Sequence, residues 1–287
     1  MEALSESSPL TAITETGPAA VPPADDQGDA GAGRRYTSET VVAIRHWTQS
    51  LLSFRTSRPA GFGFTPGHYA RLGLSAAHGN VVWRPFSLAS TARDEHLEFF
   101  AVLVPGGEFS DLLARIGEGD TILVENFSYG FLTIAHFAPG KDLWLVASGT
   151  GLGPYVSILR DPATWQAYDN FIVVHSVRYS SELAYREEIA GLVHEQRLAA
   201  SPGRLRYVPV VTRQSFPGAL GLRIPRLIED GRLEQAAGVA LDPEHSRIMV
   251  CGNPEMAREL RRQFTERGFR INRRATPGQL AFENYWT

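Results

Sequence analysis

The sequence predicts a two-domain protein in which an antiparallel β-barrel precedes an α/β domain with a parallel sheet. The chain has 287 residues, 43% hydrophobic and 21% charged, which is enough for two domains of ordinary size. Short β-type runs fill the part before residue 137. Beyond residue 139, apolar strands alternate with helical stretches, as in parallel sheets covered by helices.

The first domain, residues 34–137, is predicted from closely spaced runs of β-forming residues separated by turns. One helical patch, Phe109–Ile116, interrupts them, and the pattern is typical of a small antiparallel barrel. The predicted strands are Glu39–Trp47, Leu51–Thr56, His68–Gly73, Val81–Ser90, Leu97–Val104 and Thr121–Asn126.

The second domain, residues 138–287, follows a predicted boundary at Phe137–Lys141, where the hydrophobic period changes. Its apolar strands imply a parallel sheet with both faces covered. The predicted strands are Leu143–Ser148, Phe171–Val177, Leu205–Val211 and Arg247–Cys251. The predicted helices lie near Tyr155–Arg160, Glu182–Arg197 and Pro254–Arg267.

Charge is unevenly distributed along the chain. Residues 1–33 contain six acidic residues, no Lys or Arg and no aromatic residue, so we expect this segment to be disordered. The whole chain carries −3, so the remainder is mildly basic at +3. Lys141 is the only lysine, and arginine favours planar contacts with phosphate and carboxylate groups. We expect an acidic or phosphorylated partner and, without a binding motif, no nucleic acid.

Cys251 is the only cysteine, which excludes an internal disulfide and an iron–sulfur cluster held by four thiolates of this chain. The histidines lack paired ligand spacing, so no metal site is expected. No apolar run approaches the roughly 18–20 residues that cross a bilayer, and the start has no hydrophobic signal core. We expect a cytoplasmic protein that does not bind membranes.

Two short motifs in the first domain contain groups suited to a phosphorylated ligand. In Arg84–Ser87 an arginine, an aromatic ring and a hydroxyl follow along an extended segment, although a barrel strand with one exposed arginine is the commoner explanation. In Pro105–Ser110 two glycines precede a helical patch, so backbone amides at its start suit a pyrophosphate. A plain Gly-Gly hairpin turn is an equally good interpretation of this second motif.

The strongest motif is Leu143–Tyr155, where a buried strand runs into a glycine turn and then into a helix with Pro154 suited to its first turn. Free amides and the helix dipole converge there, as at a nucleotide phosphate site. The last glycine of the dinucleotide fingerprint is missing, but the strand–turn–helix context is the required one. The alternative is a glycine-rich structural turn.

Three strings, in this order and spacing, resemble ferredoxin (flavodoxin)–NADP⁺ reductases: Arg84–Ser87, Gly149–Tyr155 and Cys251–Pro254. The tail Phe282–Trp286 is similar to that of the bacterial subclass. The resemblance runs from about Tyr36 to the end of the chain. It implies a barrel that binds FAD and an α/β domain that binds NADP(H).

For FAD, the resemblance implies that Arg84 contacts the pyrophosphate, that Phe86 stacks on the flavin and that Ser87 hydrogen-bonds near its central nitrogen. Gly107 and Ser110 match positions where the family uses amides and a hydroxyl against the pyrophosphate. The family usually has tyrosine in place of Phe86, so stacking is kept and a phenolic hydrogen bond is lost.

For NADP, the resemblance implies that Thr150 and Gly151 meet the pyrophosphate. The family places basic groups around the 2′-phosphate of the adenosine, and Arg178, Arg213 and Arg223 match them. Arginines near strand ends independently favour a dianionic phosphate over a ribose hydroxyl, although each one alone is also typical of a solvated surface. The set predicts a preference for NADPH over NADH.

The predicted catalytic residues are Ser87, Cys251 and Glu283. The resemblance implies that Cys251 lies beside the nicotinamide, whereas from the residues alone a buried, inert cysteine is the better interpretation. Glu283 matches the family's carboxylate near the same place. Trp286 matches the aromatic residue that stacks on the FAD adenine in the bacterial subclass, with simple packing on the barrel as the alternative.

The resemblance implies that a monomer transfers electrons, through FAD, between NADPH and ferredoxin or flavodoxin. A mildly basic surface would steer such acidic carriers. The alternatives are the reductase component of an oxygenase, which shares the two-domain core, and a non-enzymatic redox sensor that binds flavin or pyridine nucleotide.

Overall fold

The computed structural model describes residues 35–192 and 204–283. The predicted disordered segment 1–33, the end of the predicted helix Glu182–Arg197 and Trp286 lie outside these ranges. Within them, no helix is long and apolar enough to span a bilayer. The same ranges contain no group of three His, Cys, Asp or Glu residues placed to hold a metal ion.

The first sheet contains six antiparallel strands: β1 (Tyr36–His46), β2 (Leu51–Thr56), β3 (Tyr69–Ser75), β4 (Val81–Ser87), β5 (Leu97–Val102) and β6 (Thr121–Tyr129). Their order is β4-β3-β6-β1-β2-β5. The two outer strands meet beyond the end of β4, where Leu88 bridges Phe99 and the Ala89 amide donates to the Glu98 carbonyl at 2.8 Å. This contact bends the sheet round on itself, as the predicted barrel requires.

The barrel core contains apolar side chains from the strands, among them Val41, Phe54, Leu72, Phe99 and Val124. Helix α1 (Glu108–Leu113) packs against β3 and β4 and adds its two buried side chains, Phe109 and Leu113, to this core. It is shorter than the predicted Phe109–Ile116, because the hydrogen bonds after Leu113 tighten to three-residue turns.

The second sheet contains five parallel strands: β7 (Asp142–Ser148), β8 (Asn170–Val177), β9 (Arg204–Val211), β10 (Ser246–Cys251) and β11 (Leu280–Glu283). Their order is β11-β10-β7-β8-β9. The described helices between them are α2 (Gly153–Arg160), α3 (Arg186–Leu192), α4 (Ile224–Glu229), α5 (Arg232–Ala237) and α6 (Pro254–Glu266).

Both faces of the parallel sheet are buried. Along β7, Leu143, Leu145 and Ala147 belong to one buried cluster, whereas Trp144 and Val146 belong to another. Successive strand side chains point to opposite faces, so the two clusters lie on opposite sides of the sheet. The uninterrupted apolar runs therefore belong to strands that are buried on both faces, as the sequence predicts.

Several elements differ from the sequence prediction. The predicted strands Val81–Ser90 and Leu97–Val104 end earlier, at Ser87 and Val102, and β11, α4 and α5 are not predicted at all. The predicted helix Glu182–Arg197 is interrupted, because Tyr185 has a left-handed φ of +59° that a continuous helix does not allow. In the described part of that predicted range, the α-helix is α3, which begins just after Tyr185.

The strand order positions the site. Strands β7 and β10 are neighbours, and the chain leaves β7 toward β8 on one side and β10 toward β11 on the other. In open parallel sheets, ligands bind at the carboxyl ends of the strands where the order reverses in this way. The segments that follow Ser148 and Cys251 meet at this point.

At the opposite end of β10, Arg247 anchors the segment that connects the two sheets. Its side chain is only 3% exposed and donates to the carbonyls of Ala138, Pro243, Glu244 and Ser246, over distances of 2.6–3.2 Å. A buried cation is stable only when its N–H groups donate hydrogen bonds, and these carbonyls accept them.

We expect Arg247→Met to lower the free energy of unfolding by about 3 kcal/mol, because it removes several charge-assisted hydrogen bonds and leaves buried carbonyls without partners. Urea unfolding followed by circular dichroism measures this change. Arg258→Met on the exposed face of α6 is the matched control, expected within about 0.5 kcal/mol of the parent. Equal losses in both variants would contradict the anchoring role.

Candidate functional site

The end of β4 presents the first predicted motif. The Arg84 guanidinium is exposed and donates to the neighbouring Trp83 carbonyl at 2.8 Å. Phe86 is half-buried, with its ring centroid 5.1 Å from that of Phe109 and 6.4 Å from that of Phe54. The motif therefore places an exposed cation on the surface and an aromatic ring at the edge of the barrel core.

The loop before α1 has the geometry of a glycine turn. Gly106 has a φ of +72°, and open space surrounds the position where its Cβ would be. Gly107 is the residue just before α1. The Ser110 hydroxyl oxygen accepts a hydrogen bond from the Val104 amide at 2.9 Å, which ties the helix to the loop. Its own proton is still able to donate to a ligand.

The turn after β7 is open on one side and tightly packed on the other. Gly149 has a left-handed φ of +53° with no atom within 4 Å of its Cβ position. Gly151 is the opposite case, because a Cβ there would overlap the Cys251 carbonyl. Glycine is thus required at 149 by conformation and at 151 by the close approach of β10.

Two polar side chains brace this crossing between β7 and β10. The Ser148 hydroxyl accepts a hydrogen bond from the Asn253 amide at 2.7 Å. The Asn253 side chain in turn accepts from the amides of Glu255 and Met256 at 2.9 and 3.0 Å, and so caps α6. Sequence analysis did not single out Ser148 as a site residue, although its place between a strand and a glycine turn is a signal for such a role.

Cys251 and Glu283 end neighbouring strands and are direct partners in the β10–β11 register. Burial raises the pKa of the Cys251 thiol well above its ordinary value, and the Glu283 charge raises it further. Burial likewise raises the pKa of Tyr155, with smaller contributions from Cys251 and Glu283. The thiol and the phenol are therefore neutral beside one carboxylate.

Glu283 also reaches the end of the barrel. Its Oε1 accepts a hydrogen bond from the Phe131 amide at 2.7 Å. Gly130, with a φ of +135°, lies beside the carboxylate, since a Cβ there would be 3.0 Å from Oε1. The Glu283 carboxylate thus links β11 of the parallel sheet to the segment that follows β6.

The predicted catalytic residues come together through these contacts. A Cβ on Gly153 would lie 3.6 Å from Cβ of Ser87, so the start of α2 touches the end of β4. Gly151, two residues earlier, lies against the Cys251 carbonyl, and Cys251 pairs with Glu283. Ser87 and Cys251 therefore both lie beside the segment Gly151–Gly153, and Glu283 lies one strand farther along the sheet edge.

The three predicted arginines lie at the carboxyl edge of the parallel sheet. The Arg213 amide donates to the Arg178 carbonyl at 2.9 Å, which places the two residues side by side beyond β8 and β9. Leu220 extends the sheet by a parallel bridge to Val210, and Arg223 follows it. All three arginines are exposed, and none forms an ion pair with another residue in the described ranges.

A buried ionic cluster that sequence analysis missed joins α2 to the barrel. Glu98 of β5 accepts from Arg160 at 3.1 Å, from Arg55 at 3.1 Å and from the Tyr185 hydroxyl at 2.7 Å. Arg160 also donates to Glu188 at 2.6 Å. Burial raises the pKa of Glu98, but Arg160 and the bond from Tyr185 outweigh it, so the pKa is lowered and the carboxylate is charged at neutral pH.

Two protein-family models match the chain in sequence order. The oxidoreductase FAD-binding domain matches residues 41–128, and the oxidoreductase NAD-binding domain matches residues 145–262. Ferredoxin–NADP reductase A of Sorangium cellulosum is 38% identical over 256 residues, which cover 86% of this chain and 89% of that protein. The ferredoxin–NADP reductase of Pseudomonas aeruginosa is 35% identical over 86% of this chain and 96% of its own length.

The chain belongs to the ferredoxin–NADP reductase family. A solved ferredoxin NADP⁺ reductase from Neisseria gonorrhoeae with bound FAD and NADP is 36% identical, with a TM-score of 0.82. The match covers 88% of this reductase and 100% of that chain. The predicted family and the predicted fold class, a barrel followed by an α/β domain, are confirmed.

The buried cluster of this reductase makes a prediction about stability. Arg160 and Arg55 both lie 3.1 Å from Glu98, but the Arg160 side chain is 16% exposed and the Arg55 side chain 56%. We expect Arg160→Met to lower the free energy of unfolding by about 3 kcal/mol, since it leaves the buried Glu98 poorly compensated. Arg55→Met is the matched control, with a cost below about 1 kcal/mol. Chemical unfolding of both variants is the measurement, and equal costs would refute the role of burial.

Proposed function

We propose that this reductase transfers electrons between NADPH and ferredoxin or flavodoxin, using FAD. The observation that carries this proposal is the contact between Gly153 and Ser87. Gly153 begins the helix after the glycine turn, in the part that matches the NAD-binding model, and Ser87 ends a strand in the part that matches the FAD-binding model. A nucleotide on one part and a flavin on the other would have their reactive rings side by side.

The residues of the barrel fit FAD. Arg84 offers an exposed guanidinium, and the Gly106 turn is open where a side chain would otherwise stand. We infer that Arg84, Gly107 and Ser110 hold the pyrophosphate, that Phe86 provides the stacking face and that Ser87 hydrogen-bonds to the flavin. The proposed contact of Trp286 with the adenine concerns a residue outside the described ranges and stays a prediction.

The residues of the parallel sheet fit NADP. No atom lies within 4 Å of the Cβ position of Gly149, and this open space supports the proposal that Thr150 and Gly151 receive the pyrophosphate. The guanidinium groups of Arg178, Arg213 and Arg223 are exposed and form no ion pair among the described residues, which suits a dianionic 2′-phosphate. A carboxylate near them is that of Glu182, which accepts from the Arg178 backbone amide at 2.8 Å.

Cys251 and Glu283 complete the proposed site without acting as nucleophiles. FAD, when bound, accepts a hydride from NADPH and returns electrons one at a time. The buried, protonated thiol of Cys251 provides a small apolar surface, and the Phe131 amide holds the neighbouring Glu283 side chain in place. The role of these residues is to orient the reacting rings and to exclude water.

Ferredoxin or flavodoxin, as acidic carriers, would be attracted by the net charge of +3 beyond residue 33. A monomeric state and a cytoplasmic location stay predictions. An oxygenase component that uses an iron–sulfur domain would need more than the single cysteine of this chain. The redox-sensor alternative differs from the proposal because it predicts neither rapid bleaching of the flavin by NADPH nor turnover.

Anaerobic reduction tests the proposed function directly. We expect the purified protein to be yellow, to bleach rapidly with NADPH, and to reduce an added ferredoxin or flavodoxin catalytically. Absorbance at the flavin band and at the carrier's band measures both steps. A yellow protein that NADPH does not bleach would favour the sensor, and a colourless protein that binds no flavin would refute the proposal and its alternatives.

The exposed arginines Arg178, Arg213 and Arg223 at the carboxyl edge of the parallel sheet predict which nucleotide the protein prefers. We expect Arg213→Ala combined with Arg223→Ala to lower the preference for NADPH over NADH by about 100-fold, since two lost charge-assisted contacts amount to about 3 kcal/mol. The ratio of kcat/KM values for the two nucleotides measures this change. Arg258→Ala on α6 is the control and should keep the parent ratio. An unchanged ratio in the double variant would contradict the assignment of the 2′-phosphate site.

A further inference from the structure

Ser157 is a fully buried serine in the middle of α2. Its hydroxyl donates to the Ser90 backbone carbonyl, in the barrel part of the chain, at 2.6 Å. Its neighbours in the helix, Val156, Ile158 and Leu159, are apolar and buried. An alanine would fill this position without the cost of burying a hydroxyl, so the single polar group directed at the barrel needs an explanation.

Ser157 is the middle member of a stripe of three residues on one face of α2. Gly153, Ser157 and Arg160 are spaced four and three residues apart, so they lie on the same side of the helix. All three meet the segment Ser87–Ser90, which begins at the last residue of β4. Gly153 lies against the first residue of this segment, and Ser157 bonds to its last residue. Arg160 donates to the Ala89 carbonyl at 2.8 Å, so the helix follows the end of the proposed flavin motif along its length.

The backbone of this segment is bonded on two sides. The Leu88 amide donates to the His68 carbonyl at 3.0 Å. The Ala89 amide donates to the Glu98 carbonyl at 2.8 Å, so the N–H groups of both residues bond to the barrel. The carbonyls of Ala89 and Ser90 accept from the two polar side chains of the α2 stripe. The segment therefore couples the position of α2 to the position of the end of β4.

The contact between α2 and this segment affects the alignment of the two cofactors, whereas other residues bind them. The groups proposed for the pyridine nucleotide, the turn before α2 and the exposed arginines, belong to the parallel-sheet part. Within the described ranges, the groups proposed for FAD belong to the barrel part. A small shift of α2 against the segment would leave the contacts of each cofactor intact and change the distance between their rings. Hydride transfer is steeply sensitive to that distance.

We infer that Ser157 is a positioning residue that aligns the bound pyridine nucleotide with the flavin by fixing α2 to the segment after β4. This inference rests on the proposed function. Apolar packing, such as that of Ile158 against Gly67, holds the two parts together but tolerates small shifts. A buried hydrogen bond to a fixed carbonyl has a narrow range of distance and angle, so it removes that freedom. Ser157 thus affects the rate of flavin reduction and not the affinity for either cofactor.

Anaerobic stopped-flow reduction of the FAD-loaded protein tests the inference. We expect Ser157→Ala to lower the rate constant of flavin reduction at saturating NADPH about tenfold, with the Kd for NADP⁺ and the FAD content within about twofold of the parent. Ser246→Ala is the matched control, because that hydroxyl is also fully buried and donates to a backbone carbonyl, that of Ala240, at 3.1 Å. Ser246 begins β10, at the end of the sheet away from the glycine turn. The control should lose similar stability in thermal unfolding and keep the parent rate constant.

Two further measurements separate the hydrogen bond from simple packing. Ser157→Cys fills the same space with a weaker donor, so its rate constant should fall between those of the parent and Ser157→Ala. Hydrogen–deuterium exchange needs no turnover and is measured on the oxidised protein without nucleotide. It should show faster exchange at the Leu88 and Ala89 amides in Ser157→Ala than in the parent, and parent exchange there in Ser246→Ala.

The outcomes separate this inference from the proposed function. A parent-like rate constant in Ser157→Ala, or equal losses of rate in Ser157→Ala and Ser246→Ala, would overturn the positioning role. A fully parent-like rate constant in Ser157→Cys would overturn it as well, since restored packing alone would then explain the loss in Ser157→Ala. A parent protein whose flavin NADPH does not reduce would instead overturn the proposed function.

Discussion

The site depends on the crossing of two backbone segments at the carboxyl ends of β7 and β10. Gly151 lies against the Cys251 carbonyl, and a Cβ on Gly252 would overlap Ser148, so neither position has room for a side chain. The crossing brings the turn after β7, the cysteine of β10 and the carboxylate of β11 into one small volume. It also directs α2 toward the barrel, where Gly153 meets Ser87.

Directional polar contacts then hold α2 in that position. The Ser157 hydroxyl donates to the Ser90 carbonyl at 2.6 Å, and Arg160 donates to the Ala89 carbonyl at 2.8 Å and to Glu98. Apolar packing alone tolerates small shifts, whereas buried hydrogen bonds to fixed carbonyls do not. Since transfer between two bound rings requires close and constant alignment, this seam between the barrel and the parallel sheet is as important to the proposed chemistry as the ligand contacts.

The parts of this molecule that follow from local pattern could be predicted, and the parts that follow from long-range pairing could not. The apolar run of β7 and the glycines after it identify a strand and a turn by themselves. Nothing near Glu98 in the sequence indicates that Arg160, 62 residues away, neutralises it. Likewise nothing near His175 in the sequence indicates that its ring meets the hydroxyl of Tyr207, 32 residues away.

The charge state of the Cys251 neighbourhood constrains the chemistry of the site. Burial, and to a smaller extent Glu283, raises the pKa values of both Cys251 and Tyr155, so neither group carries a negative charge in this buried space. A protonated thiol is a poor nucleophile, which argues against covalent catalysis at Cys251. A neutral, fully buried side chain at the end of β10 instead suits the proposed hydride transfer, which needs two rings held close together and water excluded.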